Sequence, residues 1–511
     1  MDTGTYDPAS SPLPGVDTVA SGASTSLAGR ITGRVLQALG QVFIARLLGP
    51  DLFGLYALAL TAVGLAALVG PLGLDRAVIR FARSDANGTR TLGRKFFLRA
   101  SAVAGLIGLA LAATVAAAAP ALAQGMFHDA RVAWVLLWIA PAFALVAGLR
   151  VATAATRVTL RMSFTVLAED LVVPAVSLVL AVLLMAFGLG LRGVLAAATV
   201  AHLVALILAI GFVWKLFPAT EGAPEKYRWL DILAFSIPAS VAGAAYGLIT
   251  LVDRIAVGAF GEAVGLGVYQ AAAQVSIWFA LVMATFATVL APLISRLHEA
   301  GEVSRLEETY RVATKWGTYL CVPILLLALL APGRVMQVLF GQDYTAGWPV
   351  LLVLAVGQFV NVATGAVGPM LIMTGRPRRW AFYNLAALAI AVVLNLLLVP
   401  RLGALGGALS TTVAMVFLFG SGLFKVRRDL GIWPYDRRFL KGAAAAVMAA
   451  SLIILVEHTA WEPAWLVLVI EAALGVGVFT FVLWRLGLDE EDRTMLRSVL
   501  HSVTGKAPIL H

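Results

Sequence analysis

The sequence predicts an all-α integral membrane protein of about fourteen transmembrane helices, and three observations predict it. Hydrophobic residues fill 60% of the 511 positions and charged ones 13%, about half the share a soluble domain carries. The apolar residues gather in runs of about 20, the length a helix needs to cross a hydrocarbon core. Lys and Arg lie between those runs and favour alternate loops.

Residues 1–27, rich in Ser, Thr, Pro, Gly and Asp, have neither the basic segment nor the apolar core of a signal peptide, and are expected to be a disordered cytoplasmic tail. Apolar runs follow at 29–48, 52–72, 96–118, 132–149, 166–187 and 193–214, making an N-lobe over 28–215. A cytoplasmic linker, 216–229, leads to runs at 230–252, 266–292, 316–332, 349–373, 381–399 and 404–424, a C-lobe over 230–425. Two further runs, 440–457 and 464–484, fall in 426–485, and 486–511 read as a second cytoplasmic tail. The external loops are short apart from those near 119–131 and 333–348.

Charge tests the count, because a missed or invented helix would swap the sides of every later loop. With the N-terminus inside, 32 of the 38 Lys and Arg residues fall on the cytoplasmic side and 6 on the other, Arg46, Arg131, Arg192, Arg254, Arg334 and Arg401. Both termini are therefore expected in the cytoplasm. The same scatter of short basic clusters argues against nucleic acid, which needs a basic patch on a polar domain.

The chain also carries a duplication. Gly54-Leu55-Tyr56 matches Gly267-Val268-Tyr269, Gly190-x-x-Gly193-x5-Thr199 matches Gly403-x-x-Gly406-x5-Thr412, and Phe127 matches Phe340, each at an offset of 213. Six helices separate the paired elements, an even number, so the two lobes share one orientation and are pseudo-symmetric about an axis along the membrane normal.

No catalytic constellation, cofactor motif or metal cluster is visible. Gly505-Lys506 lacks the rest of a phosphate-cradling loop, and the lone Cys321 sits in an apolar run. Without a large extracytoplasmic domain, a membrane-bound transferase is disfavoured, and no enzyme is expected.

Polar residues inside the spans are the candidate binding residues. Arg30, Arg34, Gln37 and Gln41 follow i, i+4, i+7, i+11, one face of the first helix. Charge within a span costs a few kcal/mol, so Arg34 should face protein or water and suits an anionic head group, whereas Arg30 fits an interfacial residue. Arg254 closes a small-residue stripe on the seventh helix, Ser236, Ser240, Gly243, Gly247 and Thr250, which serves helix packing equally well. Gln270 and Gln274 lie one turn apart on the eighth helix and Gln358 and Asn361 on the tenth, where amides can bond sugar hydroxyls or neighbouring helices. His202 and Glu471 read as structural and Glu169-Asp170 as interfacial.

Ala45-Arg46-Leu47-Leu48-Gly49-Pro50-Asp51-Leu52-Phe53-Gly54-Leu55-Tyr56 resembles the opening of the Wzx-like polysaccharide-unit flippases of the multidrug/oligosaccharidyl-lipid/polysaccharide (MOP) exporter superfamily. Asp253-Arg254, Gly265-x-Gly267-x-Tyr269, Pro292-x-x-Ser295, Leu339-Phe340-Gly341-x-x-Tyr344, Leu371-x-x-x-Gly375-Arg376 and Asn395-x4-Pro400-x-x-Gly403-x-x-Gly406-x-Ala408 follow in that family's order, over about residues 28–425. The resemblance implies a MATE-like fold, two six-helix lobes around a cavity open alternately to each side, here with two added C-terminal helices. It implies a flippase of the cytoplasmic (inner) membrane moving a polyprenyl-diphosphate-linked oligosaccharide, with membrane lipid and polysaccharide polymerase or assembly proteins as partners. Arginines would pair with diphosphate and amides with sugar. Two other readings share the fold. Drug/cation antiporters need an embedded carboxylate, which the first helix lacks, and peptidoglycan-precursor (lipid II) flippases carry more deep arginines than this chain.

Overall fold

The computed structural model describes residues 16–81, 93–159, 162–217, 229–457 and 462–487, and among them no strand occurs. In order, α1 is Val16–Val69, α2 Leu74–Phe81, α3 Arg94–Gly125, α4 Arg131–Ile139, α5 Pro141–Val158 and α6 Met162–Thr165. A π-helical turn, Val166–Val172, leads into α7 (Val173–Ala186), α8 (Gly190–Leu216) and α9 (Trp229–Phe260). Then come α10 (Ala263–Glu299), α11 (Val303–Leu330), α12 (Pro332–Phe340), a 3₁₀ turn Gln342–Gly347, α13 (Trp348–Ala363) and α14 (Val367–Met373). The chain continues through α15 (Pro377–Leu402), α16 (Ala404–Leu430), α17 (Phe439–Glu457) and α18 (Ala464–Arg485).

Twelve helical stretches among the described residues are long and apolar enough to cross a membrane. The first, Gly29–Phe81, holds 53 residues, about 80 Å of helix against a core of about 30 Å. It breaks at Gly49, whose φ of 71° and ψ of 168° leave the helical region, with Pro50 restarting the helix. The sequence expects its first loop there. α9, 32 residues long, stands outside the twelve. α1 begins at Val16, inside the stretch expected to be a tail, because extending an existing helix costs far less than nucleating one. Residues 1–15, 218–228 and 488–511, most of the expected tails and linker, lie outside the described residues. The expected external loop over 333–348 is instead largely helical, as α12 and the 3₁₀ turn.

Two compact units divide the chain: Met1–Ile44 with Ala59–Ala244, and Ala45–Leu58 with Ala245–His511. In the first, α3 and α5 approach backbone to backbone. A side chain on Gly108 would overlap the Phe143 carbonyl, and the Ser101 hydroxyl donates to the Gly148 carbonyl at 2.8 Å. Small residues at such contacts are what holds helices together where lipid removes the hydrophobic drive. Phe96, Phe97, Phe217 and Ile232 cap this core.

In the second unit, two motifs that carried the family resemblance meet. Arg46 Nε donates to the Leu339 carbonyl at 2.8 Å, Tyr344 Oη donates to the Ala45 carbonyl at 2.8 Å, and the Phe53 and Tyr344 rings sit edge to face. Gly54 lies so close to α10 that a Cβ would overlap the Ala263 carbonyl, and a Cβ on Gly267 would overlap the Pro50 carbonyl. The contact is reciprocal, since Pro50 and Ala263 are separated by the same 213 residues as Gly54 and Gly267. α17 and α18 pack on α11 through Tyr319, Ala445, Ala449, Ile453 and Phe479, and Arg334 of α12 pairs with both Glu457 and the fully buried Glu471.

Candidate functional site

The first unit builds a charged cluster around the π-helical turn. Pro174 has no N–H to give the Asp170 carbonyl, so that oxygen lacks its ordinary α-helical donor. It lies against Gly33 of α1, where any side chain would collide with it, and Gly29 likewise faces Val166. This approach brings the arginine face of α1 to Asp170, while Arg157 of α5 faces Glu169. Arg30 Nε is 4.0 Å from Asp170 Oδ2, and Arg157 Nη2 is 3.9 Å from Glu169 Oε1, which the Thr153 hydroxyl also meets. Both ion pairs sit at the outer limit of contact. The buried Nε atoms of Arg30 and Arg157 find no hydrogen-bond acceptor among the described residues. Arg34, exposed on the same face, donates to Gln37 Oε1 at 3.1 Å, and Gln41 follows, buried. Three guanidinium groups against two carboxylates leave net positive charge and unfilled N–H donors, which suits an anion.

The second unit builds the opposite kind of centre. Asp253, 4% exposed, accepts from the Tyr269 hydroxyl at 2.5 Å, from the Thr411 hydroxyl at 3.0 Å and from the Arg254 backbone N–H at 2.7 Å. Arg254 in turn donates from Nε to Gln270 Oε1 at 2.6 Å and from Nη1 to the Thr250 carbonyl. Every group here answers another.

The expected site residues therefore separate. Arg34, Gln37 and Gln41 share one face of α1 in the first unit. Arg254 and Gln270 are bound to each other in the second, with Gln274 buried on α10 and Asn361 buried on the neighbouring α13. Gln358, also on α13, keeps a buried Oε1 that meets no donor among the described residues. At the start of the small-residue stripe of α9 the packing is tight: Gly73, at φ 76°, lies where a side chain would strike the Ser236 carbonyl. His202 Nδ1 bonds the Ala198 carbonyl at 2.7 Å, a structural role as expected.

Glu169 and Asp170 were expected at the interface, and their place opposite Arg30 and Arg157 was not visible in sequence. The one usable signal is Pro174, four residues after Asp170. Tyr269 and Thr411 were likewise missed as partners of Asp253, being 16 and 158 residues away. Among the described residues no three His, Cys, Asp or Glu side chains converge as a metal site would require.

Solved structures define the fold class. The chain superposes on a lipid II flippase, MurJ, in an inward closed conformation with a TM-score of 0.68, covering 89% of this chain and 97% of that one at 13% identity. An inward-facing MATE-family multidrug transporter of the MOP superfamily gives 0.60, covering 80% and 99% at 16% identity. This is a multi-pass α-helical membrane protein with the two-lobed MOP transporter fold. The family described as polysaccharide biosynthesis protein matches residues 43–349, more than half the chain, and the chain belongs to it. Similar proteins include the capsular polysaccharide biosynthesis protein CapF of Staphylococcus aureus, 22% identical over 187 residues, which are 37% of this chain and 47% of CapF. A probable low-salt glycan biosynthesis flippase of Haloferax volcanii, Agl15, is 22% identical over 180 residues, 35% of this chain and 38% of Agl15. The matched stretches thus span less than half the length of either relative.

Proposed function

We propose that this protein is a flippase that carries a polyprenyl-diphosphate-linked oligosaccharide across the cytoplasmic membrane by alternating access, in cell-surface polysaccharide synthesis. The observation that carries the reading is the arginine face of α1 in the first unit, where Arg30 keeps an unfilled donor and Arg34 stands exposed, with the unfilled donor of Arg157 on α5 in the same cluster. In this reading Arg34, with Arg30 beside it, binds diphosphate oxygens. Gln37 and Gln41 bond sugar hydroxyls, the prenyl tail stays in lipid, and no bond of the cargo is made or broken. Polymerase and assembly proteins follow as partners from that role.

The topology belongs to the same proposal. Counting Gly29–Phe81 as two crossings and adding Trp229–Phe260 to the other stretches gives fourteen, with both termini cytoplasmic by the Lys and Arg distribution.

The antiporter reading gains one feature, because the carboxylates missing from the first helix arrive from the π-helical turn. Each is faced by an arginine, however, and the net positive charge repels a cationic cargo. Arg34→Ala and Arg34→Lys proteins, reconstituted in vesicles with a prenyl-diphosphate sugar, test the proposal. Alanine should slow translocation on the order of tenfold or more and lysine restore part of it. Normal translocation by Arg34→Ala, or binding of cationic dyes with no binding of the prenyl-diphosphate sugar, would overturn it.

A further inference from the structure

The corner of the second unit where α15 begins and α16 ends concentrates positive charge that the flippase reading does not use. Arg376, Arg378 and Arg379 surround the first turn of α15, and Lys425 and Arg428 lie near the end of α16. Asp429 is the carboxylate shared among them. It accepts from Arg376 Nε at 3.0 Å and Arg379 Nη1 at 2.7 Å, and it pairs with Lys425 Nζ at 2.8 Å. One carboxylate against three cations leaves two positive charges in that group alone. Arg378 adds another, and the arginines stand at the start of a helix, where the partial positive charge of the backbone makes cations unfavourable. The arrangement is stable at lower cost with an anion in place.

The neighbouring surface says what carries that anion. Phe382, one turn further along α15 from Arg378 and Arg379, is 65% exposed, and Leu385 beyond it is 49% exposed. Phe424, one turn before Arg428 on α16, is 64% exposed. Exposed large apolar side chains one turn along each helix from the clustered arginines match the boundary between acyl chains and head groups.

We propose that this corner binds the phosphate head group of an anionic membrane lipid, apart from the cargo residues on α1. The Arg376 and Arg379 forks and the exposed Arg378 would hold the phosphate, and Phe382, Leu385 and Phe424 would lie along the acyl chains. A free phosphate ion has the same chemistry for the arginines but gains nothing from the apolar surface.

Native mass spectrometry of the full-length protein, supplied with phosphatidylglycerol or phosphatidylcholine, tests this. The wild type should retain phosphatidylglycerol preferentially, and the exposed double variant Arg378→Gln/Arg379→Gln should bind it on the order of tenfold more weakly, with phosphatidylcholine unchanged. Asp429→Asn should bind phosphatidylglycerol more tightly than the wild type, because it releases three cations. Equal retention of the two lipids, equal retention by wild type and double variant, or displacement of phosphatidylglycerol by millimolar inorganic phosphate would each overturn the proposal. If Asp429→Asn does not fold, the double variant decides alone.

Discussion

The charged cluster of the first unit and the Asp253 centre of the second contain the same kinds of groups and use them differently. In the first, arginines stand 4.0 and 3.9 Å from their carboxylates and keep buried N–H groups unfilled. In the second, Asp253 has three donors at 3.0 Å or closer, and Arg254 has acceptors at both Nε and Nη1. A buried charge that is fully answered costs little to keep and much to break, while one that is half answered is held ready for something else. The difference lies in what is left over: the cluster around the π-helical turn keeps unfilled N–H donors, whereas Arg254 is answered at both Nε and Nη1.

Removing Asp253 should therefore produce the largest loss of stability. Asp253→Ala leaves the Tyr269 and Thr411 hydroxyls without their acceptor and removes the carboxylate 4.0 Å from Arg254 Nη1, and unpairing a buried charge costs about 3–5 kcal/mol. Thermal unfolding of the purified protein in detergent should show this as a marked fall in the midpoint. A fall no larger than that of an exposed Arg-to-Ala control would erase the distinction between the two centres.

Gly33 tests the geometry of the first unit. A methyl group there meets the Asp170 carbonyl, so α1 must move away from the π-helical turn. Overpacking of this kind costs about 1–3 kcal/mol, and it would also pull Arg30 and Arg34 from their positions. Gly33→Ala should lose both stability and transport. Loss of neither would show that the close approach of α1 is dispensable.

Arg34→Ala separates function from stability. The side chain is exposed and its one hydrogen bond goes to a neighbour on the same helix, so unfolding should shift by no more than about 0.5 kcal/mol. Losing a charge-assisted phosphate contact should weaken cargo binding by about 1.5–3 kcal/mol, which is tenfold or more. A large change in unfolding would move Arg34 into the same class as Arg254.

These contrasts also mark how far the sequence reaches. The spans, the break at Gly49-Pro50 and the duplication were legible because they rest on run length, on glycine and proline chemistry and on a repeated spacing. The duplication then reappears as the reciprocal contact of Gly54 and Gly267. The two polar centres were not legible, because Thr411 lies 158 residues from Asp253 and no local period connects them. The π-helical turn hides for a related reason: it keeps the hydrophobic run intact while setting Asp170 against α1 and Glu169 against α5.

The smallest effect comes from comparing the two halves at one backbone position. His128 holds φ 52°, and its counterpart 213 residues on is Gly341, with φ 112°. Glycine takes positive φ without a Cβ penalty, whereas histidine there is strained. His128→Gly should stabilise the protein by about 0.5–1 kcal/mol, less the entropy glycine gains in the unfolded chain, while Gly341→Ala should destabilise by a similar amount. Both should be measured near neutral pH. The next residue, Asp129, has its carboxyl held below the usual carboxylate range by the hydrogen bonds and charge of Arg131. Its contribution is complete above that range and is lost as pH falls through the lowered value, so an acidic measurement would mix the two effects. If His128→Gly lowers stability at neutral pH, the histidine side chain contributes a contact that outweighs its backbone strain, and the two halves differ at this turn in more than glycine content.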